Sequence, residues 1–212
     1  MKNEILYQVS TLSAFQNKNY DGQISVGKML EFGNTGFGTF HGLNGEMILI
    51  NGVVYCALGD CSVVVAQENE TTPFATLGFL ENKKETLVTV HGNMSDLINK
   101  LNEITNNHEK LIIGLISGAF EKIVLHSVWP QVKPYEALKK IVDHQSIVIE
   151  KNIEGTLVGI HCPTSYRRRN VVGWHFHFLS KDLKIGGHVN DLWIEEVQVS
   201  FDEKESLEMI RK

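Results

Sequence analysis

Three histidines in the C-terminal third of the chain have a spacing typical of a metal site. His175 and His177 are one residue apart, and His188 follows Gly186-Gly187. Side chains alternate along a β-strand, so a strand through this stretch would point His175 and His177 to one face. A sharp turn at the two glycines would bring His188 back beside them. Three neutral imidazole nitrogens with an open fourth position are typical of a catalytic zinc.

Two other interpretations of this stretch remain open. The chain has nine histidines, so two can occupy alternate positions of an exposed strand by chance. Against this, the intervening Trp174, Phe176 and Phe178 predict that the other face of the strand is buried. A further alternative is an iron site of two histidines and one carboxylate, either Glu46 or Asp191. We rank it last because three histidines already satisfy zinc.

Outside the histidine triad, Glu46 is the best-placed carboxylate. It directly follows Asn44-Gly45, a tight-turn signal, so it stands at the start of a strand, where it is either aimed into a site or simply solvated. Asp182 and Asp191 flank the histidines and could orient a ring through its second nitrogen, although Asp182 also suits a turn. His126 follows an apolar strand and stands alone in the sequence, which favours a structural role.

The elements that would position these residues are mostly strands. Asn44-Gly45 and Asn51-Gly52 are hairpin signals, and they predict an antiparallel meander over residues 35–66. Helices are predicted over residues 26–32, with Ser25 as its cap, over residues 96–106, with Ser95 as its cap, and from Pro134 onward. Further strands are predicted over residues 111–116, 119–127, 147–150, 155–162, 171–178, 187–193 and 195–201. Residues 203–212 are expected to form a charged amphipathic helix or a frayed tail, and the halves to part near residues 127–145.

Composition narrows the function classes. The 212 residues, 42% of them hydrophobic, suit one large domain or two small ones. A formal net charge of −5 argues against a nucleic-acid partner. Cys56, Cys61 and Cys162 cannot all pair and have no CxxC spacing, so we expect free thiols in a reducing compartment. We find no signal peptide or membrane-spanning run, and we expect a cytoplasmic protein with no membrane partner.

Several segments together resemble the α-acetolactate decarboxylase family, from Leu6 to about Val199. The segments, in chain order, are Gly38-Thr39-Phe40, Leu43-Asn44-Gly45-Glu46, Gln131-Val132-Lys133-Pro134-Tyr135, Gly173-Trp174-His175-Phe176-His177-Phe178 and Gly186-Gly187-His188-Val189. The HxHF segment followed by GGH is specific, and its order relative to the LxGE segment makes a chance match improbable.

The resemblance implies an α+β fold of two closely packed subdomains, each a mostly antiparallel or mixed β-sheet with a few helices. We expect residues 1–130 to form the N-terminal β-rich subdomain, with helix 96–106, and residues 131–212 the C-terminal one with the metal site. The resemblance also implies zinc bound by His175, His177 and His188, with Glu46 and Thr39 as catalytic residues. The implied reaction converts 2-acetolactate, a small 2-hydroxy-3-oxo acid, into acetoin and carbon dioxide in bacterial butanediol metabolism. A homodimer is one possibility.

The sequence departs from the family pattern at two places. The family carries an arginine before the QxxPY segment, where this chain has His126, which we take as its catalytic counterpart. The family also continues to a C-terminal glutamate, which Glu203, Glu205 and Glu208 do not match. Two hypotheses therefore stand: a zinc-dependent acetolactate decarboxylase, and a metal-binding relative with weak or lost catalysis that binds another small ligand.

Overall fold

The structure is a computed structural model, and it describes residues 2–81, 83–106 and 109–210. The strands are β1 (Ile5–Val9), β2 (Ile24–Ser25), β3 (Thr35–Thr39), β4 (Glu46–Ile50), β5 (Val53–Ala57), β6 (Val63–Val65), β7 (Thr71–Thr72), β8 (Phe74–Gly78), β9 (Lys84–Asn93), β10 (Leu111–Ser127), β11 (Ser146–Cys162), β12 (Gly173–Ser180), β13 (Gly186–Lys204) and β14 (Ser206–Met209). The α-helices are α1 (Leu12–Gln16), α2 (Val26–Met29), α3 (Met94–Thr105) and α4 (Leu138–Val142).

One sheet has seven strands in the order β14-β1-β8-β3-β4-β5-β6. Strands β3 to β6 pair antiparallel in succession, so the predicted meander is confirmed. The β4–β5 hairpin turns at Asn51 and Gly52, whose φ angles are 51° and 80°. Two consecutive positive φ angles are what the Asn-Gly signal predicts for a two-residue hairpin turn.

The second sheet has five strands in the order β10-β11-β12-β13-β9, with an additional pairing between β10 and β13. The pairs of short strands predicted over residues 111–127, 147–162 and 187–201 are in fact three continuous strands, β10, β11 and β13. The first two were expected to break at residues 117–118 and 151–154, but Gly118 lies opposite Gly155 in the β10–β11 ladder, which runs through both gaps. Backbone hydrogen bonds need no side chains, so the ladder continues through the glycines.

The two sheets pack face to face, which confirms the predicted α+β class with two packed β-sheet layers. Phe37 and Ile48 from the first sheet share a buried cluster with Ile113, Val158 and Leu179 from the second. The opposite face of the five-stranded sheet packs against α3 in a separate core. The histidine-bearing strand β12 therefore has one face against the other sheet and one face in its own core.

Two helix predictions are confirmed in position. Ser25 caps α2, which a 3₁₀ turn extends through Leu30–Phe32. Helix α3 matches the predicted helix 96–106, but its cap is Asn93 rather than Ser95, because Asn93 and Asp96 form a reciprocal capping box.

Two other predictions in the C-terminal half were wrong. No helix starts at Pro134: α4 begins at Leu138, because the backbone of the preceding Ala137 is extended, with ψ 142°. Residues 206–209 are not helical but form β14, parallel to β1 at the sheet edge, with Leu207 buried between the sheets. Residues 211 and 212 of that predicted tail lie outside the described residues.

The chain passes from the seven-stranded to the five-stranded sheet between residues 78 and 84, and it returns to the seven-stranded sheet between residues 204 and 206. A boundary between subdomains at residues 130 and 131 stays a prediction. Among the described residues, no helix is both long and apolar enough to span a membrane.

Candidate functional site

The three predicted histidines converge on one point between the sheets. His175 and His177 lie on β12, and His188 on β13 is the ladder partner of His177. One ligand atom from each ring lies within 4.8 Å of the other two. Phe176 and Phe178 point the other way and are buried in the α3 core. The strand alternation and the return of His188 are therefore as predicted, whereas metal binding itself stays a prediction.

The position of the turn before His188 differs from the prediction. The β12–β13 hairpin turns at residues 181–185, and Gly186 and Gly187 belong to strand β13. Gly187 has φ +154°, and a Cβ there would lie 2.7 Å from the carbonyl oxygen of His126. The glycine is thus needed for the close approach of β13 to β10, which brings His188 beside His126.

Glu46 enters the same site from the other sheet. It is the first residue of β4, and its Oε2 lies 3.7 Å from Nε2 of His177. The turn before it needs Gly45, with φ +85°, because a Cβ would lie 2.4 Å from the carbonyl oxygen of Ala57. Thr39, the ladder partner of Glu46, donates its hydroxyl hydrogen to the Gly45 carbonyl at 2.7 Å. Glu46 is therefore aimed into the site, not solvated.

Two contacts orient the ring of His177. Its Nδ1 lies 2.9 Å from the backbone carbonyl of Met47. A carbonyl only accepts, so Nδ1 carries the hydrogen and Nε2 keeps its lone pair for the site. The ring of Phe37 stacks on that of His177 at 4.6 Å between centroids and also contacts His175 at 4.4 Å. The sequence analysis missed both groups, although Phe37 lies in the same strand as Thr39.

Burial sets the charge state of the site. Desolvation raises the pKa of Glu46 to about 8, so its carboxyl holds a proton near neutral pH. Desolvation lowers the pKa of His175 to about 4, with a smaller contribution from the charge of His126. The pKa values of His177 and His188 are also lowered, mainly by burial. The site therefore combines two kinds of group. The neutral imidazole nitrogens can bind a cation through their lone pairs, and the carboxylic acid of Glu46 can donate a proton.

His126 is isolated in the sequence but not in space. It pairs with His188 across the β10–β13 ladder, and the two rings stack at 4.2 Å. Its Nδ1 lies 2.8 Å from Oδ1 of Asn190, a residue the sequence analysis missed. Asn190 follows His188 by two positions, so strand alternation was the signal for it. Burial lowers the pKa of His126, and the bond to Asn190 partly offsets this.

These residues line one cavity of about 200 Å³. Its polar floor is formed by Thr39, Glu46, His126, His175, His177 and His188. The rest of the wall is apolar, and it consists of Leu12, Phe15, Phe37, Gly38, Leu43, Phe74, Val128, Leu138, Val142 and Val171. None of the residues lining this cavity is a lysine or an arginine.

The two flanking aspartates do not reach the site. Asp182 accepts a hydrogen bond from the hydroxyl of Ser180 at 2.7 Å within the hairpin turn, which is the turn role we preferred for it. Asp191 is exposed and accepts from the backbone N–H of Leu192. Neither lines the cavity, so Asp191 does not complete an iron site there.

The donor set fits a zinc ion. The three rings are uncharged, as zinc ligation requires, and His177 presents a defined lone pair. Nε2 of His175 lies 2.9 Å from Nδ1 of His188. Two ring nitrogens this close, both on neutral imidazoles, are well placed to bind one cation.

Sequence comparison matches this chain to a family profile and to curated proteins of the same name. The profile of the family Alpha-acetolactate decarboxylase matches residues 6–211. The alpha-acetolactate decarboxylase of Methanosarcina mazei is 35% identical over 200 residues, which cover 94% of this chain and 69% of that protein. The protein of the same name from Bacillus subtilis strain 168 is 28% identical over 204 residues, covering 96% and 80%.

Solved structures with the same fold as this chain include two of particular interest. The crystal structure of alpha-acetolactate decarboxylase from Bacillus subtilis strain 168 matches with a TM-score of 0.93 at 28% identity, covering 97% of this chain and 88% of that one. A Staphylococcus aureus protein of unknown function, described as similar to alpha-acetolactate decarboxylase, has the same fold, with a TM-score of 0.92 at 24% identity and the same coverage. The profile match over nearly the whole chain and the relative that is 35% identical lead to one conclusion: this chain belongs to the alpha-acetolactate decarboxylase family.

Proposed function

We propose that this protein decarboxylates 2-acetolactate to acetoin and carbon dioxide, with zinc bound by His175, His177 and His188. The observation that carries the proposal is the convergence of these three rings with the carboxyl group of Glu46 in one cavity. The family match and the names of the relatives support the same reaction. The three cysteines are free and buried, in keeping with the proposed cytoplasmic location.

The reaction needs an electron sink and a proton donor. The bond between the carboxylate and the hydroxyl-bearing carbon breaks, carbon dioxide leaves, and the electron pair moves through the new double bond onto the neighbouring keto oxygen. The resulting enediolate monoanion, in which the hydroxyl group keeps its hydrogen, then takes one proton on the carbon that lost the carboxylate, which gives acetoin. When bound, zinc would supply Lewis acidity toward the keto and hydroxyl oxygens of the substrate.

Glu46 is the proposed proton donor. In the metal-free site, burial raises the pKa of Glu46 to about 8 and so favours the protonated form that a general acid requires; a bound cation would act against this shift. The side chain is only 13% exposed, so bulk water competes little for the proton transfer. Delivery from a fixed side of the cavity would protonate one face of the enediolate and set the handedness of the product.

Thr39 and His126 have supporting roles in this proposal. Thr39 donates its hydroxyl hydrogen to the Gly45 carbonyl, and this hydrogen bond holds the turn that points Glu46 into the cavity. His126 donates Nδ1–H to Asn190, so its Nε2 is left as an acceptor for a substrate hydroxyl. A neutral imidazole cannot hold the substrate carboxylate with the two-point, charged contact of an arginine. The metal would then provide most of the attraction for the anion.

The deciding experiment is an assay of untagged, zinc-loaded protein with racemic 2-acetolactate. We expect acetoin and carbon dioxide in equal amounts, formed faster than in protein-free buffer. One enantiomer of the product acetoin should be in excess. Zinc analysis of the same preparation tests the metal. Protein that contains zinc yet forms acetoin no faster than buffer would refute the proposed reaction.

The second candidate function is a metal-binding protein with weak or lost catalysis that binds another small ligand. One observation favours it: the cavity lining lacks a cationic side chain and is otherwise apolar. In that case an uncharged hydroxy ketone such as acetoin would bind to the zinc-loaded protein at least as tightly as an unreactive hydroxy acid. Calorimetric titration with both ligands separates the two functions.

A further inference from the structure

Three consecutive arginines precede the histidine-bearing strand β12. Arg167, Arg168 and Arg169 follow the 3₁₀ turn Thr164–Tyr166, and all three are exposed. Within the described part of the chain, no carboxylate forms an ion pair with their guanidinium groups, and Arg169 lies over the ring of Tyr166 at 5.9 Å. We call residues 167–169 the arginine turn. It is an unpaired cationic patch on a chain whose formal net charge is −5.

The arginine turn is attached to the apolar wall of the cavity that contains the histidine triad. The carbonyl oxygens of Arg168 and Arg169 accept hydrogen bonds from the backbone N–H groups of Ser13 and Leu12, at 3.1 and 2.8 Å. Leu12 is the first residue of α1 and lines the cavity, and Val171, two positions after Arg169, lines it as well. The three exposed side chains therefore start beside this wall but outside the cavity, whose lining contains no cation.

The other charges near this wall largely cancel. Helix α1 contains no charged residue, and Lys18 follows it by two positions. On and beside α4, which carries another part of the wall, Lys139 and Lys140 are balanced by Glu136 and Asp143. Lys140 pairs with Glu136 at 2.8 Å. The uncompensated charge beside the cavity is therefore positive, and most of it lies in the arginine turn.

We propose that the arginine turn attracts the anionic substrate to the cavity through long-range charge, before the substrate reaches the metal. This inference rests on the proposed function, whose substrate carries one carboxylate. Charges of one sign beside a low-dielectric cleft raise the local concentration of an oppositely charged ligand and its association rate. No guanidinium group needs to touch the substrate, because the attraction extends over about 10 Å at an ionic strength of about 0.1 M.

The same field distinguishes the substrate from the products. The substrate enters with one negative charge, whereas acetoin and carbon dioxide leave uncharged, so the field favours entry and does not retain the products. The enediolate monoanion has the same charge as the substrate, so the field stabilises the ground state and the reacting state about equally. Charge at the arginine turn is therefore expected to change kcat/KM and to leave kcat as it is.

The test compares two double variants that change the net charge by the same amount. Arg167→Gln with Arg168→Gln, the arginine variant, removes two charges before β12. Lys181→Gln with Lys184→Gln, the lysine variant, removes two charges from the hairpin turn after β12, where both lysines have carboxylate partners. At an ionic strength of about 10 mM, we expect the arginine variant to lose about three- to tenfold in kcat/KM for 2-acetolactate. The lysine variant is expected to match the wild type, and kcat is expected to be the same in all three proteins.

Two further measurements separate charge from shape. At an ionic strength of about 1 M the Debye length falls to about 3 Å, so kcat/KM of the wild type and the arginine variant should converge. Arg167→Lys with Arg168→Lys keeps both charges and is expected to keep the wild-type kcat/KM at low salt. Circular dichroism of each variant confirms that its fold is kept.

A binding measurement makes the test independent of catalysis. The probe is 2-hydroxy-2-methylbutanoate, which has the carboxylate and hydroxyl groups but no keto group to accept the electron pair. Its uncharged amide is the control ligand. By calorimetric titration of zinc-loaded protein at low salt, we expect the arginine variant to bind the acid about three- to tenfold more weakly than the wild type does, and to bind the amide equally well.

The outcomes distinguish this proposal from the proposed reaction. If the protein forms no acetoin but shows the expected difference in binding the acid, the proposed reaction fails and the role of the arginine turn stands. If the protein forms acetoin and the arginine variant matches the wild type at low salt, the reaction stands and the role of the arginine turn fails. No binding of the acid by the wild type, an equal loss for the amide, a loss that persists at high salt or an equal loss in the lysine variant would also overturn the proposal.

Discussion

The floor and the mouth of the cavity are built in different ways. The floor is polar, and each of its side chains stands on a strand whose ladder fixes its direction: Glu46 on β4, His126 on β10 and the histidine triad on β12 and β13. The mouth is apolar and is carried by short elements, with Leu12 and Phe15 on α1 and Leu138 and Val142 on α4.

The two parts of the cavity have different tasks: the floor holds the reacting groups, and the mouth controls access to them. Reacting groups must be held to a fraction of an ångström, which paired strands achieve better than short helices and loops. The apolar residues of the mouth only need to exclude water and match the alkyl groups of the ligand. We therefore expect substitutions in the floor to change the rate and metal content, and substitutions in the mouth to change mainly the apparent affinity.

The largest effect is expected for His177→Gln, which removes a ligand from the floor but keeps a polar group near the Met47 carbonyl. Zinc should fall from about one ion per chain to a small fraction of that, because two histidines alone bind zinc much more weakly than three. Activity should fall to background. His91→Ala, at an exposed histidine on β9, is the control. Equal zinc in His177→Gln and wild type would remove the metal from this stretch.

Glu46→Gln should keep zinc but lose decarboxylation by about 10²–10⁴-fold, because an amide cannot deliver the proton. Acetoin formation and zinc content are measured on the same sample. A variant that turns over at nearly the wild-type rate would make Glu46 a structural residue of the floor and not its acid.

His126→Arg acts at the junction of floor and mouth. A guanidinium would restore a charged, two-point contact to the substrate carboxylate, and a charge-assisted hydrogen bond contributes about 1.5–3 kcal/mol. We expect activity on 2-acetolactate to rise by about ten- to a hundredfold at equal zinc occupancy. A lower activity in the variant would mean that the neutral ring against His188 has a role of its own.

The acid in the floor should also make the stability of metal-free protein depend on pH. The folded-state pKa of Glu46 is raised from 4.5 to about 8, so between these values the unfolded chain binds one proton fewer than the folded one. Stability relative to Glu46→Gln is therefore highest below pH 4.5 and falls by about 1.4 kcal/mol per pH unit toward pH 8. Urea unfolding of both proteins at several pH values measures this. A constant difference would mean that Glu46 titrates normally.

The smallest effect is expected in the mouth. Leu138→Ala removes part of the apolar wall, and we expect KM for 2-acetolactate to rise by about tenfold or less with kcat and zinc unchanged. Val132→Ala is the control, because Val132 is 83% exposed and lies in the same connection without lining the cavity. A drop in kcat with unchanged KM would place Leu138 among the residues that organise the floor.

The sequence by itself determined the parts of the site that depend on local geometry. Alternation along one strand put His175 and His177 on one face, and the Asn-Gly signals located the meander with Glu46 at the head of a strand. These predictions succeed because side-chain direction within a strand and turn conformation depend on neighbouring residues alone.

Only the tertiary structure decided which of these residues meet. Glu46 and His177 are 131 positions apart, and His126 reaches His188 only because Gly187 lets two strands approach. The same cause explains the wrong predictions: β14 is a strand because β1 offers it a free edge. The strand breaks expected at residues 117–118 and 151–154 are absent because β10 and β11 pair across them. Long-range pairing and packing override local propensity, since a backbone group is satisfied by whichever partner the fold brings to it.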